Sequence, residues 1–238
     1  MKLALLEKAL AAGRAGRAAA LATNLKSGAQ GFIEGTEKLG SLAFDATILA
    51  AVQTALTEDR NAIVETAEGP VFVEIFNPRL RCILVGAVHI AQPLARMASL
   101  AGYLVTVVDP RTAFASDARF PDVVLSTEWP DEALTRLKPD RRTAVVTLTH
   151  DPKLDDSALA VALRSEAFYI GALGSKKTHA ARARRLEVQG FGEADMARIH
   201  GPVGLAIGAV SPAEIAVAIL AEITQVLRAR ALAAREAA

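Results

Sequence analysis

Residues Phe168 to His179 read F-Y-I-G-A-L-G-S-K-K-T-H, an apolar run interrupted by two glycines that reopens on hydroxyl and ammonium side chains. This order predicts a buried strand, a tight turn spanning Gly171 to Gly174, and a helix whose first N–H groups have no intrahelical acceptor. Such a helix start favours oxyanions. The positive end of the helix dipole, the hydroxyls of Ser175 and Thr178, and the ammonium groups of Lys176 and Lys177 all act in that direction, with His179 on the same first turn. The segment is not a Walker loop, which places four residues between its glycines and ends in Gly-Lys-[Ser/Thr]. From this segment alone, a strand-to-helix turn with a solvated basic first turn is an equal alternative.

Other apolar runs open onto polar or Gly-bearing loops as well. Gly86-Ala87-Val88-His89-Ile90-Ala91 resembles the dinucleotide fingerprint G-x-G-x-x-[G/A], and Asp109, followed by Arg111, stands where that fold places its ribose-binding acid. Val88 occupies the second glycine position, where a bare backbone lets the pyrophosphate approach, so NAD or NADP is not expected to bind in the standard pose. A fourth loop is Thr149-His150-Asp151-Pro152-Lys153. His89 either faces a crevice or caps the following helix, and His150 is either a ligand-facing group or a loop imidazole bonded to backbone. His179 lies near the anion loop or in solvent, and His200, in I-H-G-P-V-G-L, reads as a loop-packing residue. No helical i, i+4 His pair or carboxylate cluster specifies a metal. Asp155-Asp156 reads as a helix-start pair rather than a catalytic dyad.

The elements that must position these loops alternate from Arg81 onward. Apolar runs at Cys82–Val85, Tyr103–Val108, Val123–Leu125, Thr143–Thr147 and Phe168–Ile170 lack strict alternation, as strands covered on both faces do. A helix from about Ile90 and helical stretches between the other runs make a Rossmann-like, doubly wound parallel sheet the natural arrangement. Ligands in such sheets bind outside the carboxyl ends of the strands, which brings the four loops to one edge. The chain closes on a helix from Pro212 to about Ala234, with Ser211 as its cap and Glu214 completing a capping box. Before Pro78 the pattern differs. A helix near Leu3–Ala12, a strand near Ala18–Thr23, a Gly-rich stretch, a helix at Asp45–Leu56 and a hairpin of Ala62–Thr66 with Val71–Ile75 predict a smaller α/β domain. The expected domains are 1–78 and 79–238.

Composition narrows the function. The 27 Lys and Arg nearly balance 26 Asp and Glu, and aromatic residues make up 5%, so neither a positive field nor stacking platforms for nucleic acid are expected. A hydrophobic content of 52% is high, yet no run of about 18 residues is free of charges, so no membrane span is expected. The single cysteine, Cys82, precludes an internal disulfide, and with an N-terminus lacking a signal-peptide pattern it points to the cytoplasm.

Taken in order, G-A-V-H-I-A, V-V-D-P-R, R-F-P-D, L-T-H-D-P-K-L-D, F-Y-I-G-A-L-G-S-K-K-T-H, I-H-G-P-V-G-L-A-I-G-A and S-P-A-E-I-A-V-A-I-L-A-E-I resemble the XdhC/CoxI family from about Cys82 to Leu227. The resemblance implies an accessory protein for molybdenum hydroxylases such as xanthine dehydrogenase and carbon monoxide dehydrogenase. Such proteins bind the molybdenum cofactor, a pterin dithiolene bearing a phosphate, protect it while its metal centre matures, and deliver it to the apo-enzyme. The partners implied are an apo molybdenum hydroxylase and a cysteine desulfurase. A homodimer is expected from the apolar content and the Ala-rich last helix, as the resemblance also implies. The candidate cofactor-binding residues are Gly86, His89, Asp109, Arg111, His150, Asp151, Gly171, Gly174, Ser175, Lys176, Lys177, Thr178 and His179, with no catalytic residue and no metal ligand. The chain departs from the family pattern at Val88, where Gly is common, and in G-S-L-A-F-D-A-T-I, which lacks the family's Gly-Gly-Cys and so rules out a thiolate ligand there. Two alternatives remain: an NAD(P)-dependent oxidoreductase that selects its ribose through Asp109 or Arg111, and a regulatory or scaffolding subunit that has lost ligand binding.

Overall fold

The computed structural model describes residues 3–236, with side chains to residue 229. The chain divides into two compact units at Arg79/Leu80, the second running to Leu232. The first begins with α1 (Leu3–Arg14), β1 (Ala19–Asn24), β2 (Gln30–Glu34) and β3 (Glu37–Gly40). It continues with α2 (Ala46–Glu58), β4 (Ala62–Val64) and β5 (Val71–Phe76). The strands form an antiparallel sheet in the order β3-β2-β1-β5-β4. Central β1 is made of small residues because helices cover both its faces. Ala19 and Leu21 pack with Leu5, Ala9 and Ala12 of α1, whereas Ala20 and Ala22 pack with Ile48, Val52 and Ala55 of α2. The Gly-rich stretch, to which the sequence assigned no element, supplies β2 and β3. Glycine belongs in this strand because the Phe44 ring lies on it: a Cβ at Gly31 would sit 2.6 Å from Phe44 Cε2.

The second unit contains β6 (Arg81–Val85), α3 (Ala91–Leu100), β7 (Leu104–Val108), β8 (Val124–Ser126), α4 (Pro130–Leu137) and β9 (Thr143–Thr147). It ends with α5 (Pro152–Leu163), β10 (Tyr169–Ala172), α6 (Lys176–Val188), α7 (Glu193–Met196), β11 (Ile199–His200) and α8 (Pro212–Glu236). All six strands are parallel, in the order β11-β10-β9-β6-β7-β8. With β6 as the first strand, this is the doubly wound order with its reversal between β6 and β9. Alternate residues face two cores. Cys82, Leu84, Val105, Val107, Ala144 and Val146 meet α3 and α8, while Ile83, Val85, Val145 and Ile170 meet α4, α5 and α6. Cys82 belongs to the first core, and burial pushes its thiol pKa up to about 12, so it packs as an inert hydrophobe. The last helix starts as expected: Glu214 Oε2 accepts the N–H groups of Ser211 (2.8 Å) and Val210 (2.9 Å).

One expectation about the anion segment needs correction. Gly171 does not open the turn. It lies inside β10, paired with Val146 of β9 and His200 of β11, and the turn occupies Leu173–Ser175. What requires glycine is close packing, because a Cβ there would meet Val203 Cγ2 at 2.6 Å and Tyr169 Cε1 at 2.8 Å. Those atoms belong to buried groups that cannot swing aside, so Gly171→Ala is expected to lower stability by about 1–3 kcal/mol through overpacking. Denaturant unfolding of wild type and variant measures this, and equal midpoints would contradict the packing assignment.

Candidate functional site

The carboxyl edge of the parallel sheet gathers the loops after β6, β7, β9, β10 and β11. At the point of reversal the first and third of these touch. Gly86 has φ +111°, and a Cβ there would lie 2.5 Å from Thr149 Cγ2, so only glycine fits both the backbone angle and the space. Backbone bonds bind the strand ends together: Gly86 N–H donates to Val108 O (2.8 Å), Leu148 N–H to Val85 O (2.9 Å), and Leu173 N–H to Thr147 O (2.9 Å).

Two buried carboxylates hold the loops. Asp109, fully buried at the end of β7, accepts the Ala87 N–H at Oδ2 (2.8 Å) and the Arg111 N–H at Oδ1 (3.0 Å). The Arg111 guanidinium grips both oxygens, Nε to Oδ1 at 2.9 Å and Nη2 to Oδ2 at 2.7 Å. Burial opposes ionisation of Asp109, but the Arg111 fork and the two amides outweigh it and hold the carboxyl below the usual range. Asp155, in the first turn of α5, accepts the Thr149 N–H (3.2 Å) and hydroxyl (2.7 Å) at Oδ1 and the His150 N–H (3.1 Å) at Oδ2. Here burial wins, and the carboxyl lies above its ordinary value. Asp156 is tied to Arg185 of α6, with Nε to Oδ2 at 2.5 Å and Nη2 to Oδ1 at 3.1 Å. The pair is therefore structural, linking α5 to α6, rather than catalytic.

The start of α6 falls where the sequence places it. Ser175 caps it, accepting the Thr178 N–H at 3.2 Å, and its hydroxyl lies 3.0 Å from Thr178 Oγ1. Lys176 and Lys177 are exposed, and their amides, the first two of the helix, have no intrahelical acceptor. Gly174 precedes the cap at φ +141°. His179 lies against the backbone of Gly201, where a Cβ would be 2.3 Å from Nδ1, and that nitrogen is buried without a hydrogen-bond partner among the described residues. Burial, followed by the charge of Arg182, lowers the His179 pKa.

The other candidates are placed as follows. His89 is exposed and does not cap α3, whose cap residue is Ile90 with no side-chain bond. His150 is exposed at φ +65°, held through its own backbone rather than its ring. Asp151 caps α5, accepting the Lys153 N–H at 2.9 Å. His200, read as loop packing, ends β11 with its ring stacked 4.6 Å from that of Tyr169 and Nδ1 3.4 Å from Glu222 Oε1. Glu222 also takes the Tyr169 hydroxyl and the Gly204 N–H, and both Glu222 and the buried Arg182 were invisible in the sequence because they lie mid-helix. Among the described residues no group of three or more His, Cys, Asp or Glu could hold a metal ion, and no helix is long and apolar enough to cross a membrane.

A six-stranded parallel Rossmann sheet with a basic, Ser-capped helix start after β10, preceded in the chain by a smaller antiparallel unit, defines an α/β protein of the dinucleotide-fold type. Residues 82–223 match the XdhC Rossmann domain, and the chain belongs to the XdhC family. It is 36% identical over 155 residues to a Bacillus subtilis protein named as a probable xanthine dehydrogenase subunit, covering 65% of this chain and 45% of that protein. It is 30% identical over 151 residues to the molybdenum cofactor insertion chaperone PaoD of Escherichia coli, covering 63% of this chain and 41% of that protein. The chain thus spans less than half the length of these curated relatives. Among solved structures, a xanthine dehydrogenase from Bacillus halodurans superposes with a TM-score of 0.72 at 26% identity, over 94% of this chain and 64% of that one.

The loop after β6 departs from a dinucleotide site in two ways. Val88 stands at the second glycine position, and both oxygens of Asp109 are occupied by Ala87 and Arg111, leaving no free carboxylate for a ribose hydroxyl. NAD and NADP are expected to show no sub-micromolar affinity in calorimetric titration. Sub-micromolar binding would contradict this reading of the loop.

Proposed function

We propose that this chain is a molybdenum cofactor chaperone that binds the cofactor, assists its maturation, and passes it to an apo molybdenum hydroxylase of the xanthine dehydrogenase type. The observation that carries the reading is the start of α6. Uncapped amides at Lys176 and Lys177, a neutral serine cap, and two exposed ammonium groups form a cradle suited to the phosphate of a pterin cofactor, on the edge where doubly wound sheets receive ligands. Membership of the XdhC family and similarity to a protein named as a cofactor insertion chaperone support the same role.

In this reading the molybdenum centre is cargo. Lys176, Lys177, Ser175, Thr178 and the Gly174 turn take the phosphate, and His150 and Asp151 lie on the loop after the neighbouring strand β9. Asp109 shapes the loop after β6 instead of bonding the ligand as a free carboxylate, because Ala87 and Arg111 occupy both its oxygens. The chain performs no chemistry on the cofactor; it binds, orients and shields it. A cysteine desulfurase as a second partner, a cytoplasmic setting and a homodimer belong to the same proposal. The alanine-rich end of α8, from residue 230, on which the dimer expectation partly rests, lies outside the described side chains.

Charge-assisted bonds to phosphate contribute roughly 1.5–3 kcal/mol each, so Lys176→Ala/Lys177→Ala is expected to weaken cofactor retention about ten-fold or more. Protein purified from a cofactor-producing host, denatured and assayed for oxidised-pterin fluorescence, measures retention. Transfer to an apo molybdenum hydroxylase measures delivery. A folded double variant that carries and transfers cofactor as wild type does would make the loop scaffold only.

A further inference from the structure

Two helix starts follow neighbouring strands at the carboxyl edge, and they differ in their acids, since α5 carries Lys153 together with Asp151 and Asp155 whereas α6 carries basic residues only. The first turn of α5 is occupied by the chain's own carboxylates: Asp151 caps it, and Asp155, 1% exposed, takes the amides of Thr149 and His150. The first turn of α6 carries no acid. Behind it lies Arg182, 2% exposed, whose side chain runs back along the helix so that Nη2 donates to Leu173 O at 2.9 Å, two residues ahead of the Ser175 cap. Nη2 also stands 3.5 Å from Asp155 Oδ2. Nε and Nη1 have no hydrogen-bond partner among the described residues.

Unused N–H groups on a buried guanidinium cost stability, so filling space inside α6 does not account for an arginine here. Of the charges around it, Asp155 meets Arg182 through Nη2, whereas Asp156 is bonded to Arg185 and Asp109 to Arg111. What Arg182 and Asp155 share is direction: the cation lies under the α6 turn, and the carboxylate lies under the α5 turn.

The geometry points to the Asp155–Arg182 pair as a buried dipole that orients the ligand, drawing its oxyanion to the start of α6 and turning its hydrogen-bond-donor groups toward the α5 loop. Arg182 is a positioning residue. It sets the Leu173 carbonyl at the entrance of the turn, and its charge acts across a low-dielectric interior where it is weakly screened. The ligand class is an elongated molecule with an oxyanion at one end and N–H donors at the other. This rests on the reading that the α6 loop receives a phosphate.

Binding of inorganic phosphate to the full chain, followed by the amide resonances of residues 174–179 together with melting temperature, tests the assignment. Arg182→Met is expected to weaken phosphate binding roughly ten-fold or more. Arg182→Lys, which keeps the charge but loses the fork, is expected to stay within about three-fold of wild type while melting as low as the Met variant. Asp155→Asn removes the negative end of the dipole and is expected to bind phosphate at least as tightly as wild type despite reduced stability. Overturning results are a parallel loss in the Lys and Met variants that tracks melting temperature, wild-type affinity in Arg182→Met, or a ten-fold loss in Asp155→Asn. Phosphate that moves none of these amides in wild type would sink the underlying loop reading. Loss in Lys176→Ala/Lys177→Ala but not in Arg182→Met would leave that reading standing and remove Arg182's role.

Discussion

The carboxylate of Asp155 accepts two backbone amides and a hydroxyl from Thr149 and His150 while facing the guanidinium of Arg182, which in turn holds the Leu173 carbonyl. The loops after β9 and β10 are thus set relative to each other by one buried ion pair rather than by packing alone. Through Thr149 the constraint reaches the loop after β6, because Gly86 leaves just enough room for the Thr149 methyl. Asp109 does the same work on the other side of the reversal by tying Ala87 to Arg111. An edge whose loops are pinned by buried acids is preorganised, and a ligand arriving there meets amides and charges already in place.

The same acids explain why this Rossmann sheet does not read as a dinucleotide site. In that fold the second-strand acid must be free to meet a ribose, and the first loop must be bare enough for a pyrophosphate. Here Asp109 is consumed by Arg111, and Val88 adds a side chain packed against the core. Free helix-start amides instead lie two strands away from β6, at α6. A basic helix start with free amides after the fifth strand, rather than at the first crossover, changes what the fold offers a ligand without changing its topology.

Much of this was legible in the residues. Runs such as C-I-L-V and T-A-V-V-T show burial on both faces, and so gave the parallel sheet and most of its strands. S-K-K-T-H announced a basic helix start because residue types at a helix N-terminus are a local signal, whereas the role of Ser175 as its cap appears only in the structure. Less legible were features that depend on distance along the chain. Gly171 resembles a turn glycine in sequence, but its need for a bare backbone arises from Val203, thirty-odd residues later, and from the Tyr169 ring folded back over it. The strands within the Gly-rich N-terminal stretch were hidden for a similar reason, since Phe44, not local propensity, makes glycine the right residue at Gly31. Arg182 and Glu222 carried no local signal, as a charged residue mid-helix ordinarily faces water. Only tertiary packing turns them inward.

The most direct test of the central claim is a crystal structure of the full chain grown with the molybdenum cofactor, the metal located by its anomalous scattering and the phosphate by its density. The account predicts the phosphate on the amides of Lys176 and Lys177, with the pterin extending across the edge toward the loop after β9. A phosphate bound instead at Gly86–Ile90, or a cofactor held away from the carboxyl edge of the parallel sheet, would contradict it.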